Sequence, residues 1–210
     1  MAGVTIFRIT VRGRGGHPSG PHHAIDPIPI AAEIVLAIQA HVAHRINVFD
    51  PATVTVGYIH AGAPTVAAIP ETATPSGSTR AMSTPIRDGV VAAISHLAGH
   101  IAAAHGAQAD VNVWPGYPPL VNDADVVAAV ADVARRLVGP DAVRTLLSPE
   151  MSSEDFARGG ELRTDVPSPG LYAAYAPLQG APPALPAVRR VMSLSTLRRS
   201  YSEYSLLPPT

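Results

Sequence analysis

The strongest constraint on the fold of this chain is the order in which two hydrophobic periodicities alternate over its first 115 residues. Residues 4–12 alternate between apolar and polar side chains, which is the pattern of a half-buried strand. Residues 27–45 instead place apolar side chains four residues apart, as an amphipathic helix does. Four further segments follow in order: a strand at 53–59, an extended segment at 66–81, a helix from Thr84 to Gly106 and a strand at 107–114.

This order predicts an α+β fold with a ferredoxin-like βαββαβ domain at residues 1–115. Two helices would cover one sheet face, and the other face or a sheet edge would be left for association. Beyond this domain, we expect a helix at 123–138 and short helices at 141–147 and 153–158. Residues 176–210 are rich in proline and arginine and keep no apolar period, so we predict a disordered tail there.

The composition excludes several classes of function. The net charge is -1 at pH 7 and no arginine-rich patch is combined with aromatic residues, so nucleic acid is not an expected partner. Without cysteine, the chain has no disulfide framework and no thiol nucleophile. The chain contains no lysine, which excludes a Schiff-base lysine. The sequence shows neither a secretory leader nor an apolar run near 18 residues, so we expect a cytoplasmic protein without a membrane partner.

The segment between the first strand and the first helix is a glycine-rich loop that carries three histidines. Its glycines allow sharp turns and close backbone approaches. Asp26 followed by Pro27 is a typical N-cap and first-turn pair for the helix. Because strand-to-helix loops commonly hold binding and catalytic groups, the histidines are candidates for function. These candidates are His17 and His22, whereas His23 is expected to be only exposed. A solvated loop in front of a capped helix is the alternative.

Residues 13–28 resemble the lid motif of the metal-dependent amidohydrolases, the family of N-acyl-amino-acid amidohydrolases, hippurate hydrolases and related zinc carboxypeptidases. The matching positions are Gly13, Gly15, Gly16, His17, Pro21, His22, Asp26, Pro27 and Ile28. Residues 117–123 and 151–156 resemble two motifs of the family's catalytic domain. The resemblance implies three parts: a lid or dimerisation domain at 1–115, an incomplete α/β catalytic-domain segment at 116–175, and an out-of-family tail at 176–210.

The resemblance also implies a cofactor. Family members hydrolyse amides with one or two zinc-class ions, so a complete enzyme would use zinc or another divalent metal. Most metal ligands of the family lie ahead of the lid or near the C-terminus, in motifs that this chain does not match. All nine histidines fall between His17 and His105. We therefore expect this chain to bind no metal and to be inactive alone.

Three residues receive roles through the resemblance. His17 is the lid histidine that donates a hydrogen bond to the tetrahedral oxyanion, often in the site of a partner subunit. His22 matches the motif's second histidine, which either stabilises the loop or contacts substrate. Arg80 resembles an arginine that clamps a substrate carboxylate with two hydrogen bonds, and a strand-end salt bridge is the alternative. Where the family has Asn-Val-Ile-Pro, this chain has Ala67-Ala68-Ile69-Pro70, so one side-chain contact to the oxyanion or substrate is lost.

Two functions from different classes stay open. The first is a metal-dependent amidohydrolase that acts on N-acyl amino acids or peptide-like amides and forms a homodimer through the lid. The second is a non-catalytic dimerisation or small-molecule-binding module with a ferredoxin-like core. A further pair, His96 and His100, has the four-residue spacing of a helical metal site, but a solvated helix face is the simpler interpretation.

Overall fold

The computed structural model of the chain describes residues 1–158. It contains the six expected elements in the expected order, followed by one further helix. The strands are β1 (Gly3–Arg12), β2 (Ala52–Ala61), β3 (Thr72–Ala81) and β4 (Gln108–Pro115). The helices are α1 (Pro27–Arg45), α2 (Thr84–Ala104) and α3 (Ala124–Val138). The α+β class and the βαββαβ order predicted from periodicity are therefore confirmed.

The four strands form one antiparallel sheet in the order β2-β3-β1-β4. β1 lies inside the sheet and pairs with β3 on one side and β4 on the other. The two edges are therefore β2 and β4. A register shift between Val56 and Tyr58 interrupts the pairing of β2 with β3. Such a bulge bends the strand locally and increases its twist.

One hydrophobic core lies between the sheet and the two helices α1 and α2. The inward side chains of β1 are fully buried, whereas the intervening residues Arg8 and Thr10 are only partly buried. The apolar side chains at every second residue of β1 therefore pack against those at about every fourth residue of the helices. The large side chains at its centre are Phe7, Ile9, Val11, Ile34, Ile38, Val90 and Ile94.

Helix α1 begins where the sequence predicts, because Asp26 caps it. The Asp26 carboxylate accepts a hydrogen bond of 2.9 Å from the Ile28 N–H, and Pro27 occupies the first turn. By length and composition alone, this 19-residue helix could cross a membrane, although no apolar run near 18 residues was expected from the sequence. In the fold, the buried side chains of α1, including Ile34 and Ile38, belong to the core beside the sheet.

One expectation for the residues after α3 was wrong, since residues 141–147 do not form a helix and only Pro140–Ala142 make a 3-10 turn. The short helix expected at 153–158 is present as a 3-10 helix over Asp155–Arg158. Helices this short are marginal without tertiary packing of an apolar face, and the two prolines at 140 and 149 limit the first segment on both sides.

Among the described residues, 1–123 and 147–158 belong to one compact unit, and 124–146 belong to a second. Within the first unit, the backbone of residues 116–120 continues alongside β1. The Val4 N–H donates to the Tyr117 carbonyl at 2.9 Å, and the Leu120 N–H donates to the Met1 carbonyl at 3.0 Å. The predicted tail at 176–210 lies outside the described residues, and the predicted boundaries at 115 and 175 stay predictions.

Candidate functional site

The loop that carries the three histidines is closed at its base and supported along one side. Arg14 and Ile25 exchange two backbone hydrogen bonds of 2.9 Å across the base. Gly16 and Ile69 exchange a second pair, of 2.8 and 3.2 Å, between this loop and the segment that leads into β3. The position of the loop between β1 and α1 is therefore set by backbone pairing at its base and along one side.

Glycine at position 13 is required by the closure of the loop. A Cβ atom placed on Gly13 would lie 2.0 Å from the carbonyl oxygen of Ile25. That oxygen accepts a hydrogen bond from the Arg14 N–H, so it cannot move away without breaking this bond at the base of the loop. The family glycine at this position is thus explained by a close approach of two backbones.

His17 lies at the exposed tip of the loop, in a β-turn formed by residues 17–20. The Gly20 N–H donates to the His17 carbonyl at 2.9 Å, and Pro18 takes the second position of the turn, where its fixed φ is favoured. The turn brings Ser19 back to the His17 ring. The Ser19 N–H donates to Nδ1 at 3.2 Å, and the Ser19 Oγ lies 2.7 Å from the same nitrogen.

Ser19 is a residue of this site that was not predicted from the sequence. The signal was present, because His-Pro-Ser-Gly has proline and glycine at the turn positions that favour them. The consequence, a main-chain donor aimed at the histidine ring, follows only from the turn geometry. Within residues 1–158, the other ring nitrogen of His17, Nε2, has no hydrogen-bond partner.

The other two histidines of the loop lie in a single 3-10 turn, Pro21–His23. Both side chains are exposed, and their ring centroids are 4.0 Å apart. The Arg14 Nε donates to the His23 carbonyl at 2.9 Å, which ties this turn to the base of the loop. His22 therefore stands one short turn away from His17 on the same supported loop. Its two expected roles, loop stabilisation and substrate contact, both stay open.

Arg80 occupies the other end of the sheet. It lies in β3 opposite Val4, and its Nη1 donates to the Met151 carbonyl and to the Ser153 Oγ, both at 3.2 Å. Neither partner is a carboxylate, so the structure shows no salt bridge of the expected kind at these atoms. The guanidinium instead holds residues 151–153 against the strand, and its further N–H groups leave donor capacity for a ligand.

One chain does not bring His17 and Arg80 together. The backbone hydrogen bonds between Gly16 and Ile69 hold the His17 loop beside the beginning of β3, near Thr72. Arg80 is near the end of the same strand. Arg80 lies eight residue steps along extended chain from Thr72, which is about 26 Å at roughly 3.3 Å per residue. At that separation we expect a small substrate held by Arg80 not to reach the His17 loop of the same chain.

The described residues do not fit a catalytic metal centre. No group of three or more His, Asp or Glu side chains in residues 1–158 is placed to hold a metal ion. His96 and His100 lie side by side on α2 with ring centroids 4.0 Å apart, but they supply only two ligands. His105 is hydrogen-bonded through Nε2 to Glu33 at 2.7 Å, which links the end of α2 to α1.

Comparison with known proteins agrees with this geometry. Residues 2–106 match the model of the peptidase dimerisation domain of the M20 peptidases, over the whole βαββα part of the sandwich and the supported loop. The chain belongs to the M20 peptidase family. The resemblance noted from the lid motif is thereby confirmed.

Two curated M20 relatives show the level of similarity. The chain is 32% identical over 161 residues to N-acetyl-L-cysteine deacetylase of Bacillus subtilis, which is 75% of this chain and 37% of that protein. It is 32% identical over 156 residues to hippurate hydrolase of Campylobacter jejuni, covering 74% of this chain and 40% of that protein. The chain thus spans about two fifths of the length of the M20 relatives it matches.

A solved structure gives the same result. A dinuclear metal binding peptidase of the M20 family from Bacillus subtilis superposes with a TM-score of 0.58 at 28% identity. The match covers 77% of this chain and 38% of that one. The antiparallel sheet with its two helices is therefore the M20 dimerisation domain in structure as well as in sequence.

Proposed function

We propose that this chain supplies the lid and dimerisation part of a metal-dependent amidohydrolase that acts on N-acyl amino acids or related amides. The observation that carries the proposal is the supported loop that holds His17 at its exposed tip. The relatives support the substrate class, since they include an N-acetyl-L-cysteine deacetylase and a hippurate hydrolase. A cytoplasmic location is part of the same proposal.

In this proposal His17 is an oxyanion donor. Amide hydrolysis passes through a tetrahedral intermediate whose oxygen carries negative charge, and a fixed N–H aimed at that oxygen stabilises the transition state. The Nε2 of His17 is suited to this role because its ring is exposed and is held through the opposite nitrogen. His22, on the same loop, would contact the substrate or maintain the loop.

Arg80 would bind the substrate carboxylate. A guanidinium can make two parallel hydrogen bonds to a carboxylate, and Arg80 makes its contacts to residues 151–153 through Nη1 alone. Those residues belong to the segment that resembles the catalytic domain. The arginine would thus lie at the boundary between the lid and a catalytic domain, where a substrate carboxylate could reach it.

The separation of His17 from Arg80 requires two subunits for one site. If both residues contact the same substrate, the histidine must come from a partner subunit, as the resemblance implies. The dimer would bring the His17 loop of one protomer to the substrate held by the Arg80 of the other. A two-fold axis then creates two equivalent sites.

The edge strand β2 is the part of the sheet best suited to dimerisation. β2 has ten residues and no Asp, Glu or Arg, and its Tyr58 and Ile59 are more than half exposed. The opposite edge, β4, contains Asp110 and ends in Pro115. Charged residues and proline protect sheet edges from pairing, and a long uncharged edge favours it. We therefore assign the dimer contact to β2.

Lysine substitutions on the two edges test this assignment. Thr55→Lys places a charge on an exposed position of β2, and Asn112→Lys is the matched change on β4. Sedimentation of the chain should show a dimer for the wild type and for Asn112→Lys, and a monomer for Thr55→Lys. Dissociation by the β4 change alone would refute the assignment to β2.

The cofactor of the complete enzyme would be zinc or another divalent metal, in agreement with the dinuclear metal binding peptidase that the chain resembles. Because residues 1–158 do not fit such a centre, its ligands would belong to other segments of the enzyme. The 210-residue chain alone is then expected to be inactive. Metal-dependent turnover of N-acyl amino acids by the purified chain would contradict this expectation.

A subunit-mixing experiment tests the shared site. Residues 2–158 would replace the equivalent segment of the Bacillus subtilis deacetylase, and His17→Ala and Arg80→Ala would be made in this chimera. His17→Ala should lower kcat about 100- to 1,000-fold, as loss of an oxyanion donor does. Arg80→Ala should mainly raise KM for substrates with a free carboxylate.

Mixing the two variants should restore activity. Random exchange makes half of the dimers mixed, and each mixed dimer has one site with both residues intact, so about a quarter of the wild-type rate should return. At substrate concentrations far below the raised KM of Arg80→Ala, a mixture in which both residues serve the same chain would show no more than the residual rates of the two variants. A chimera that folds and dimerises without turnover would favour the non-catalytic module.

A further inference from the structure

The contact between Ser19 and His17 determines which nitrogen of the neutral imidazole carries the proton. A neutral ring has one N–H donor and one nitrogen with a lone pair. A backbone N–H can only donate, so the Ser19 N–H at 3.2 Å requires the lone pair to be on Nδ1. The Ser19 hydroxyl, 2.7 Å from the same nitrogen, can donate to it as well. The ring proton is then on Nε2.

We propose that Ser19 is a positioning residue, which keeps neutral His17 in the Nε2–H tautomer and holds the ring in one orientation. For its catalytic consequence, the inference rests on the proposed function. In this tautomer Nε2 presents a hydrogen-bond donor to an oxyanion, whereas in the other tautomer it would present a lone pair and repel the oxyanion. In metal-ligating histidines, a hydrogen-bond partner on one ring nitrogen fixes the tautomer and the orientation of the ring in the same way.

The local sequence builds this contact from the turn. Pro18 presets the backbone at the second position, and the Gly20 N–H closes the turn on the His17 carbonyl at 2.9 Å. The Ser19 N–H between them then points back at the side chain of the first residue. Asx-turns use the same arrangement, with a side-chain acceptor two residues before the donating N–H.

The test is the tautomer of His17 in the 210-residue chain, measured by long-range 1H–15N correlation spectra above the titration range of histidine. His17→Gln identifies the His17 signals among those of the nine histidines. We expect the wild-type signals of the Nε2–H tautomer. We also expect a coupling between the Ser19 amide nitrogen and Nδ1 across the hydrogen bond.

Ser19→Ala removes the hydroxyl and keeps the backbone N–H. We expect the ratio of the two tautomers to move towards Nδ1–H by about three- to tenfold, which is the effect of one lost hydrogen bond. The matched control is Ser95→Ala, since the Ser95 hydroxyl donates to the Val91 carbonyl on α2, away from the loop. The control should leave the His17 spectrum unchanged.

Two results would overturn the proposal. One is a wild-type His17 protonated at Nδ1, and the other is a Ser19→Ala spectrum identical to the wild type. Both are measured without turnover, so an inactive chimera refutes the proposed function and leaves the tautomer to be judged by the spectra. In an active chimera, Ser19→Ala should lower kcat and leave KM unchanged.

Discussion

Substituting alanine for Gly13 should open the base of the His17 loop. The added Cβ would lie 2.0 Å from the Ile25 carbonyl oxygen, which is far inside van der Waals contact. Relief of this overlap requires the two backbones to separate at Arg14 and Ile25. The two hydrogen bonds of 2.9 Å between these residues are then lost.

The magnitude follows from those two bonds. Each intramolecular hydrogen bond contributes about 0.5–1.5 kcal/mol net, so two bonds are worth about 1–3 kcal/mol of local stability. Hydrogen exchange of the Ile25 amide measures this opening directly, and its protection should fall by about 5- to 150-fold. Protection of the core strand β1 should fall less, since residues 13–24 are outside the core cluster and Ile25 only packs against it.

The matched control is Gly99→Ala. A Cβ on Gly99 meets nothing within 4 Å, and alanine is a better helix former in α2 by about 0.5–1 kcal/mol. The control should therefore stabilise the chain slightly, with the Ile25 amide still protected. If Gly13→Ala left the exchange of the Ile25 amide unchanged, the close approach at the base of the loop would be refuted.

Three further predictions concern stability. Ile34→Ala should lower the free energy of unfolding measured in urea by about 2–5 kcal/mol, because Ile34 is fully buried, and a loss below 1 kcal/mol would contradict its core position. Asp26→Ala should lower the free energy of unfolding by about 0.5–2 kcal/mol by removing the cap of α1, whereas Asp26→Asn should keep most of that stability, because asparagine also caps helices. Burial lowers the pKa of the Met1 α-amino group below its usual 8.0, against an opposing effect of Glu150. Between the lowered pKa and 8.0 the unfolded chain binds more protons, so stability should rise with pH there, and acetylation of the amine should remove that rise.

The fold could be predicted because local and tertiary preferences agree in it. The alternating residues of β1 and the four-residue spacing in α1 each identify one buried face, and the two faces meet in one core. The ends of the elements were also encoded, by Asp26 before α1 and by Gly106 after α2. Gly106 has a φ of +71°, a conformation that glycine adopts without strain.

The site was less predictable, since its key contacts join residues distant in sequence. Gly16 pairs with Ile69, which is 53 positions later in the sequence, and no local pattern predicts this pairing. It nevertheless holds one side of the His17 loop in place. The partners of Arg80, Met151 and Ser153, are equally remote. The helix predicted at 141–147 does not form, because a segment this short is not stably helical without tertiary packing of an apolar face.

The pairing of Gly16 with Ile69 also gives the alanines at 67 and 68 a consequence for His17. It places Ile69, two residues after Ala67, beside Gly16, the residue before His17, so the position where the family has asparagine is close to the His17 loop. Asparagine there would add a second donor, whereas Ala67 adds none. The lid of this chain would then depend on the Nε2–H of His17 alone. If His17 has the proposed role, the orientation that Ser19 gives its ring would matter more here than in a lid with the asparagine.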